Sequence, residues 1–236
     1  MKKAFVLLAT CFAVGLNGLS AATFTLENIN ALIPDGNFNG VQSSLNLSGL
    51  DPQITDVNVT LTVAGGFNGD FYAYLFHNNT ISVLLNRPGL SAGNSVGYPD
   101  TGFGPTLSGN RFTFDDQAAN DVHRYRSFTF SLNGGGQLTG AWQPDGRNID
   151  PLSTGSVFDS ASRSAMLAAF NGMNPNGQWT LFIADTSPGG EGTLVNWGVQ
   201  LTTIPEPSLK GIYALGFGAI LLARRARSRI KCLPGA

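Results

Sequence analysis

Hydrophobic and polar residues alternate along several short segments of the chain. Between Val57 and Val63, valine or leucine occupies every second position, and asparagine or threonine lies between them. A period of two places one set of side chains on the buried face of a sheet and the other on its exposed face. The same alternation occurs in residues 128–132 and 195–201. The pattern therefore predicts a strand in each of these three segments.

Three further segments are continuous apolar runs of strand length: residues 71–76, 81–85 and 179–184. Pairs that favour tight turns lie between the predicted strands: Asn39-Gly40, Asn68-Gly69, Asn133-Gly134, Asp145-Gly146 and Asn176-Gly177. Many short strands with such turns are typical of all-β proteins. We expect an antiparallel jelly-roll β-sandwich.

Residues 162–170 have a different pattern, because good helix formers dominate there. Met166, Leu167 and Phe170 are spaced to form one apolar helical face. Asp159 or Ser160 is positioned to cap the N-terminus of such a helix. We predict a single short helix across one end of the sandwich.

Charge is distributed unevenly, although the formal net charge of the 236 residues is only -1. Residues 23–204 contain six arginines, no lysine and 14 of the 15 acidic residues, which gives this part a charge of about -8. An acidic surface does not neutralise phosphates, so nucleic-acid binding is excluded. Both cysteines, Cys11 and Cys232, lie outside this part, so it has no disulfide framework.

The N-terminal end has the features of a secretory signal peptide. Lys2 and Lys3 precede the apolar residues 4–16, and small residues lead up to Ala22. We expect signal peptidase to cleave after Ala22, which makes residues 1–22 the signal peptide. The alternative is a lipoprotein signal ending at Cys11, but the apolar stretch before that cysteine is short for one.

The C-terminal end combines three features. Pro205-Glu206-Pro207 precedes an apolar segment, residues 211–223, and a basic cluster that begins with Arg224 and Arg225. A helix of that length spans about 20 Å, less than the roughly 30 Å of a bilayer core. The basic cluster is expected to stay on the cytoplasmic side, with the preceding residues outside.

This arrangement resembles the PEP-CTERM sorting tail of Gram-negative bacteria, here residues 205–236. The resemblance implies that an exosortase recognises the tail. The protein is then held transiently in the inner membrane by a C-terminal helix before it passes to the cell surface or the extracellular matrix. A departure from the pattern is Lys210, which interrupts the apolar segment if that segment begins at Ser208. The alternative is a plain C-terminal membrane anchor.

A second resemblance covers about residues 33–202, within a predicted domain of residues 23–204. It rests on short motifs near Asp35-Gly36, Gly69-Asp70-Phe71 and Phe114-Asp115-Asp116, and on a closing motif from Trp179 through Asp185 to Trp197. These motifs resemble the P domain, or Homo B module, which follows the catalytic domain of proprotein convertases. The resemblance implies a jelly-roll β-sandwich.

Nothing in the sequence indicates a catalytic site. Ser91 and Ser95 each match the Gly-x-Ser-x-Gly pattern, but they lie in a Gly-rich and Ser-rich segment rather than between a strand and a helix. His77 and His123 lack a recognisable triad motif. A subtilisin-like catalytic domain needs more residues than positions 23–204 supply. We therefore expect a non-catalytic chain.

Calcium is the one cofactor that the sequence indicates. Carboxylates in Gly-containing turns are the hard oxygen ligands that Ca²⁺ requires. The candidate ligands are Asp70, Asp115, Asp116, Asp145 and Asp150. Asp115 and Asp116 are the strongest pair, because adjacent carboxylates repel each other without a cation. The alternative is that these side chains cap turns.

The function that these features favour is an exported, surface-sorted binding or matrix module without catalytic activity. Its expected partners are signal peptidase and exosortase during export, and an exopolysaccharide or another surface protein afterwards. Exposed aromatic residues would form a carbohydrate-facing platform, with Tyr72, Tyr74, Tyr98 and Trp142 as candidates. One alternative is a P domain that assists a separately encoded subtilisin-like serine endopeptidase. Another is a purely structural matrix protein.

Overall fold

A computed structural model describes residues 19–205. Residues 1–18 of the predicted signal peptide lie outside the described residues. So do residues 206–236, which contain most of the predicted Pro-Glu-Pro motif, the apolar segment 211–223 and the arginine cluster. Within residues 19–205, no helix has the length and apolar character needed to cross a membrane.

Strands are the main regular structure of the described chain, which also has one α-helix, α1 (Gly155–Ser160), and three 3₁₀ turns. The strands are β1 (Ser20–Leu26), β2 (Ala31–Ile33), β3 (Asn37–Leu47), β4 (Gln53–Gly65), β5 (Phe71–His77), β6 (Thr80–Asn86), β7 (Gly102–Phe103), β8 (Thr113–Phe114), β9 (Ala141–Trp142), β10 (Gly177–Asp185) and β11 (Gly192–Ile204). The 3₁₀ turns are Asn68–Asp70, Val122–Ser127 and Leu167–Phe170.

The strands form two sheets, of seven and four strands. In the larger sheet β11 lies between β1 and β4, and β4 is followed by the short strands β8 and β9. In the smaller sheet the order is β3, β10, β5, β6. Pairing is antiparallel except between β8 and β9, which are parallel. The predicted β-rich, two-sheet architecture is therefore confirmed.

One hydrophobic core contains residues from both sheets. Val59 and Leu61 of β4 and Trp197 of β11 represent the larger sheet, and Leu75 of β5 and Leu181 of β10 represent the smaller one. All five side chains are fully buried. The alternation in residues 57–63 and 197–201 thus corresponds to core-facing positions of β4 and β11, whereas Val195 lies at a β-bulge and is only partly buried.

The strand predicted at residues 128–132 is wrong. Phe128 ends a 3₁₀ turn, and the following residues form irregular chain with one isolated bridge from Leu132 to Leu138. Phe128 and Leu132 are each 40% exposed, whereas Phe130 packs edge-on against Tyr125. The alternating apolar residues therefore do not share a buried face, which is what a half-buried strand requires.

The helix predicted at residues 162–170 is also wrong in position, since α1 ends at Ser160. Beyond α1 the chain runs along the edge of β6, where Ala165 O accepts a hydrogen bond from Val83 N. Within the predicted segment only Leu167–Phe170 is helical, and it forms a 3₁₀ turn. The Asp116 carboxylate accepts hydrogen bonds from Leu167 N and Ala168 N, so a distant side chain caps this turn rather than Asp159 or Ser160.

Gly40 permits a close approach of β3 to β10, and we expect Gly40→Ala to destabilise the protein. Its φ is +51°, and a Cβ there would lie 2.3 Å from Ile183 O. Gly49 has a φ of +78° but no atom within 4 Å of the corresponding position. In urea denaturation, Gly40→Ala should cost clearly more than about 1 kcal/mol and more than the control Gly49→Ala. Equal losses would show that backbone strain, not the contact, dominates.

Candidate functional site

The two tryptophans of the closing motif lie in the core, and a histidine of β5 packs on one of them. Trp179 Nε1 donates to Pro175 O at 2.8 Å, and Trp197 Nε1 donates to Ser43 Oγ at 2.8 Å. Each buried indole N–H therefore has a hydrogen-bond acceptor, as buried tryptophans usually do. His77, at the end of β5, stacks on Trp179 with ring centroids 4.0 Å apart. These residues serve packing and hydrogen bonding.

Asp185, the last residue of β10, is fully buried. Its Oδ1 accepts a hydrogen bond from Ser187 N at 3.1 Å, as expected for a turn cap, while Oδ2 has no hydrogen-bond partner among the described residues. Burial, with the nearby charges of Asp70 and Asp35, raises the pKa of Asp185 to about 6. The closing motif therefore holds a carboxylate whose charged form is poorly stabilised.

Asp70, in the turn before β5, faces the same region. Burial raises the pKa of Asp70, against the opposing effect of Arg87. The Arg87 Nη2 atom lies 4.0 Å from Asp70 Oδ1 and 3.2 Å from Ser187 Oγ. At this distance Arg87 offsets the burial of the Asp70 carboxylate only in part.

A second cluster of ionisable side chains, most of them buried, surrounds His123. His123 Nδ1 lies 2.7 Å from Asp145 Oδ2, and the opposite oxygen of Asp145 accepts from Arg147 Nη1 at 3.1 Å. Arg147 Nη2 donates to Asp121 Oδ2 at 3.0 Å, and Arg163 Nε lies 3.7 Å from the same oxygen. Burial lowers the pKa of Arg147, but the charges of Asp145 and Asp121 outweigh burial and raise it. We call these five residues the histidine-arginine network.

His123 and Asp145 have the spacing of a catalytic base and its orienting carboxylate, but their surroundings differ from a triad. His123 is 3% exposed, and its Nε2 lies 3.0 Å from the Leu90 carbonyl oxygen rather than from a hydroxyl. Ser91 pairs with Asn94 in a tight loop after β6, and Ser95 lies in the same loop. Neither serine stands between a strand and a helix, the setting that a nucleophile elbow requires.

Asp100, another buried carboxylate, is paired through both of its oxygens. Burial favours its neutral form, but hydrogen bonds from Arg126 and Tyr125 more than offset this and lower the pKa of Asp100. Arg126 Nε donates to Asp100 Oδ2 at 2.7 Å. The Tyr125 hydroxyl donates to the same carboxylate, and burial together with this contact raises the pKa of Tyr125. These contacts fix the chain between β6 and β7 against the 3₁₀ turn Val122–Ser127.

The five aspartates predicted to bind calcium are not brought together. Asp115 and Asp150 cap local turns by accepting from Gln117 N and Leu152 N. Asp116 caps the turn Leu167–Phe170, Asp145 belongs to the histidine-arginine network and Asp70 faces Arg87. Within residues 19–205, no group of three or more histidine, cysteine or acidic residues is arranged to hold a metal ion. Calcium binding stays a prediction.

The aromatic residues proposed for a platform lie in separate places. Tyr72 and Tyr74 of β5 are half-buried and pack against Phe182 of β10, with the Tyr74 and Phe182 rings stacked at 4.9 Å. Tyr98 packs against Tyr125 at 4.7 Å. Trp142 is only 4% exposed, and its Nε1 donates to Thr139 O at 2.9 Å. The four residues therefore do not form a common surface.

The structure also contains a cleft that the sequence did not indicate. It has a volume of about 690 Å³ and lies between the loop after β7 and residues 129–142. Its apolar lining includes Leu107, Phe130, Leu132 and Trp142, and its polar lining consists of hydroxyl and amide side chains. We call it the hydroxyl-lined cleft. Its lining residues come from separate loops and from the two-residue strand β9, so no sequence pattern marks them as one site.

Comparison with known proteins gives one family match. The family model described as "Proprotein convertase P-domain" matches residues 144–201, about a quarter of the chain. The match includes Asp145 and Arg147 of the histidine-arginine network and the whole closing motif. That domain is a non-catalytic domain associated with serine proteases. No curated protein matches the sequence.

Two solved structures show limited similarity. A serine protease of Aeromonas sobria has 14% identity and a TM-score of 0.41, with 80% of this chain and 28% of that chain covered. The complex of Aeromonas sobria serine protease with its chaperone ORF2 gives 12% identity, a TM-score of 0.37 and the same coverage. This chain thus corresponds to under a third of the length of those protease chains.

Proposed function

We propose that this protein is an exported, non-catalytic P-domain-like module that associates with a separately encoded subtilisin-like serine endopeptidase and stabilises it. The observation that supports the proposal is the match of residues 144–201 to the proprotein convertase P domain. In this role the chain supports a protease and catalyses no reaction of its own.

The chemistry of the matched segment agrees with a supporting role. Its two arginines are used internally: Arg147 bonds to two aspartates, and Arg163 donates to Gln143 Oε1 and Pro144 O. Its tryptophans Trp179 and Trp197 are fully buried. Such groups fix a scaffold rather than act on a substrate, which needs accessible reactive groups.

The surface that we propose for contact with the protease is the outer face of the four-stranded sheet. Tyr72, Tyr74 and Phe182 pack together there, and Phe76, two residues after Tyr74 on β5, is 38% exposed. The facing positions of β3 carry uncharged Gln42 and Ser44. Aromatic side chains with an uncharged polar border are typical of the centre of a protein-protein interface.

The test is stabilisation of a protease. The full chain would be purified after export and mixed with a secreted subtilisin-like protease of the producing cell, and thermal inactivation of the protease would be followed. At a concentration of about 100 times the Kd, binding should add about 2.7 kcal/mol to protease stability. Phe76→Ser should weaken the effect, and the control Leu32→Ser, which changes a 52% exposed residue of the other sheet, should not. No binding and no protection would reject the proposal.

The proposed function also includes export of the protein and its sorting to the cell surface. We propose residues 1–22 as signal peptide, residues 23–204 as the jelly-roll domain and residues 205–236 as an exosortase-directed tail. Cleavage after Ala22 would shorten β1 but leave Phe24 and Leu26 in register with Val199 and Trp197 of β11. A role in binding an exopolysaccharide is a second candidate, and the hydroxyl-lined cleft is the observation that favours it.

A further inference from the structure

The hydroxyl-lined cleft has the size of a small-molecule site. Its volume of about 690 Å³ lies within the roughly 300–1,000 Å³ that such sites occupy. It is built at one margin of the larger sheet, where β9 carries Ala141 and Trp142 into its wall. The other side is the loop after β7, which contributes Thr106, Leu107 and Ser108.

The lining of the cleft is uncharged. Every residue that lines it is apolar, glycine, or carries a hydroxyl or amide group. Asn120, Thr129 and Ser131 form no side-chain hydrogen bond with other residues of the range 19–205, so their donors and acceptors are available to a ligand. A carboxylate or phosphate ligand would need a cationic partner, which this lining does not provide.

The walls of the cleft are fixed by internal hydrogen bonds. Thr139 Oγ1 donates to Ser131 O at 3.0 Å, and Trp142 Nε1 donates to Thr139 O at 2.9 Å. Asn133 Nδ2 donates to Pro105 O at 3.1 Å, which links the two sides. A cleft held in this way loses little conformational entropy on binding, and such preorganisation favours affinity.

From these observations we propose that the hydroxyl-lined cleft binds a neutral oligosaccharide. Sugar rings present hydroxyls, which pair with Asn120, Thr129 and Ser131, and apolar C-H faces, which pack on Leu132 and the edge of Trp142. The site is independent of the proposed protease contact, because it belongs to the larger sheet and its loops, whereas that contact lies on the smaller sheet.

Binding is tested by calorimetry on the full chain with defined probes. The neutral probes are cellohexaose, maltohexaose, mannohexaose and hexa-N-acetylchitohexaose, and the other probes are hexagalacturonate and a neutral Gly-Ser decapeptide. We expect at least one neutral hexasaccharide to bind with one-to-one stoichiometry and more tightly than hexagalacturonate. Failure of all four neutral sugars, or binding of the decapeptide alone, would overturn the proposal.

Variants locate the binding to the cleft. Asn120→Ala and Thr129→Val should each weaken sugar affinity about threefold to tenfold, the range expected for one lost hydrogen bond. The matched controls Asn46→Ala and Thr180→Val lie on the smaller sheet and should leave affinity unchanged. Ala141→Phe keeps the polar groups and fills the cleft from an exposed position, so it should abolish binding. Unchanged affinity in Ala141→Phe, with the fold intact by circular dichroism, would place the sugar elsewhere and refute the site.

Discussion

Arg147→Met is expected to lower the free energy of unfolding by about 3–5 kcal/mol, the loss typical when one partner of a buried ion pair is removed. Arg147 is 5% exposed and holds both Asp145 and Asp121, at 3.1 and 3.0 Å. Methionine has similar length but no positive charge. Asp145, which is fully buried, would then keep only His123 as a side-chain partner among the described residues.

The measurement is urea denaturation of the wild-type and variant proteins at neutral pH. Arg111→Met is the matched control, because Arg111 pairs with Glu27 while both side chains are 40% or more exposed. Exposed pairs contribute about 0–1 kcal/mol, so the control should lose little. A loss in Arg147→Met no larger than that in Arg111→Met would show that the histidine-arginine network does not stabilise the fold.

The histidine-arginine network could not be predicted from the sequence. His123, Asp145 and Arg163 are separated by 22 and 18 residues and come together only because the chain returns to the edge of β6. Their residue types appear in the sequence without a fixed spacing. The strands around Leu61 and Val199, in contrast, follow from local alternation, since one buried sheet face requires it.

The roles of the aspartates could not be predicted from the sequence for a different reason. A carboxylate in a Gly-containing turn suits both calcium coordination and turn capping, because both use an oxygen acceptor near a bend. Asp115 and Asp150 adopt the second role. The sequence predicts Asp116 as the partner of Asp115, but Asp116 bonds to backbone amides about fifty residues away. Only the tertiary contacts distinguish an aspartate that caps a turn from one that coordinates calcium.

The hydroxyl-lined cleft could not be predicted for a related reason. Serine, threonine and asparagine are common in loops of every kind, so their presence near Thr129 and Ser131 carries no specific signal. The regular alternation of Phe128, Phe130 and Leu132 even predicts a strand there. In the structure Phe130 faces both Tyr125 and the cleft, while Phe128 is largely exposed.

Asp185→Asn is expected to stabilise the protein by roughly 1–3 kcal/mol above pH 6. The pKa of Asp185 is raised from 3.8 to about 6 by burial and by Asp70 and Asp35, so the folded state binds a proton more readily than the unfolded state. Stability from the protonated carboxyl is fully present below pH 3.8 and is lost as the pH rises to about 6. The backbone N–H groups of Ser187 and Gly36 favour the ionised carboxylate and limit this penalty only in part.

The amide group introduced by Asp185→Asn would keep the acceptor for Ser187 N and remove the buried negative charge. Thermal melting of both proteins between pH 4 and pH 8 provides the measurement, with EDTA present so that no divalent cation pairs with the carboxylates. The gain should be absent near pH 4, appear between pH 4 and 6 and stay constant above. Asp150→Asn, at an exposed turn cap, should shift the midpoint little across this range. If Asp185→Asn instead destabilises the protein at pH 7, the folded state must stabilise the ionised carboxylate. The closing motif would then have to provide a partner for that negative charge.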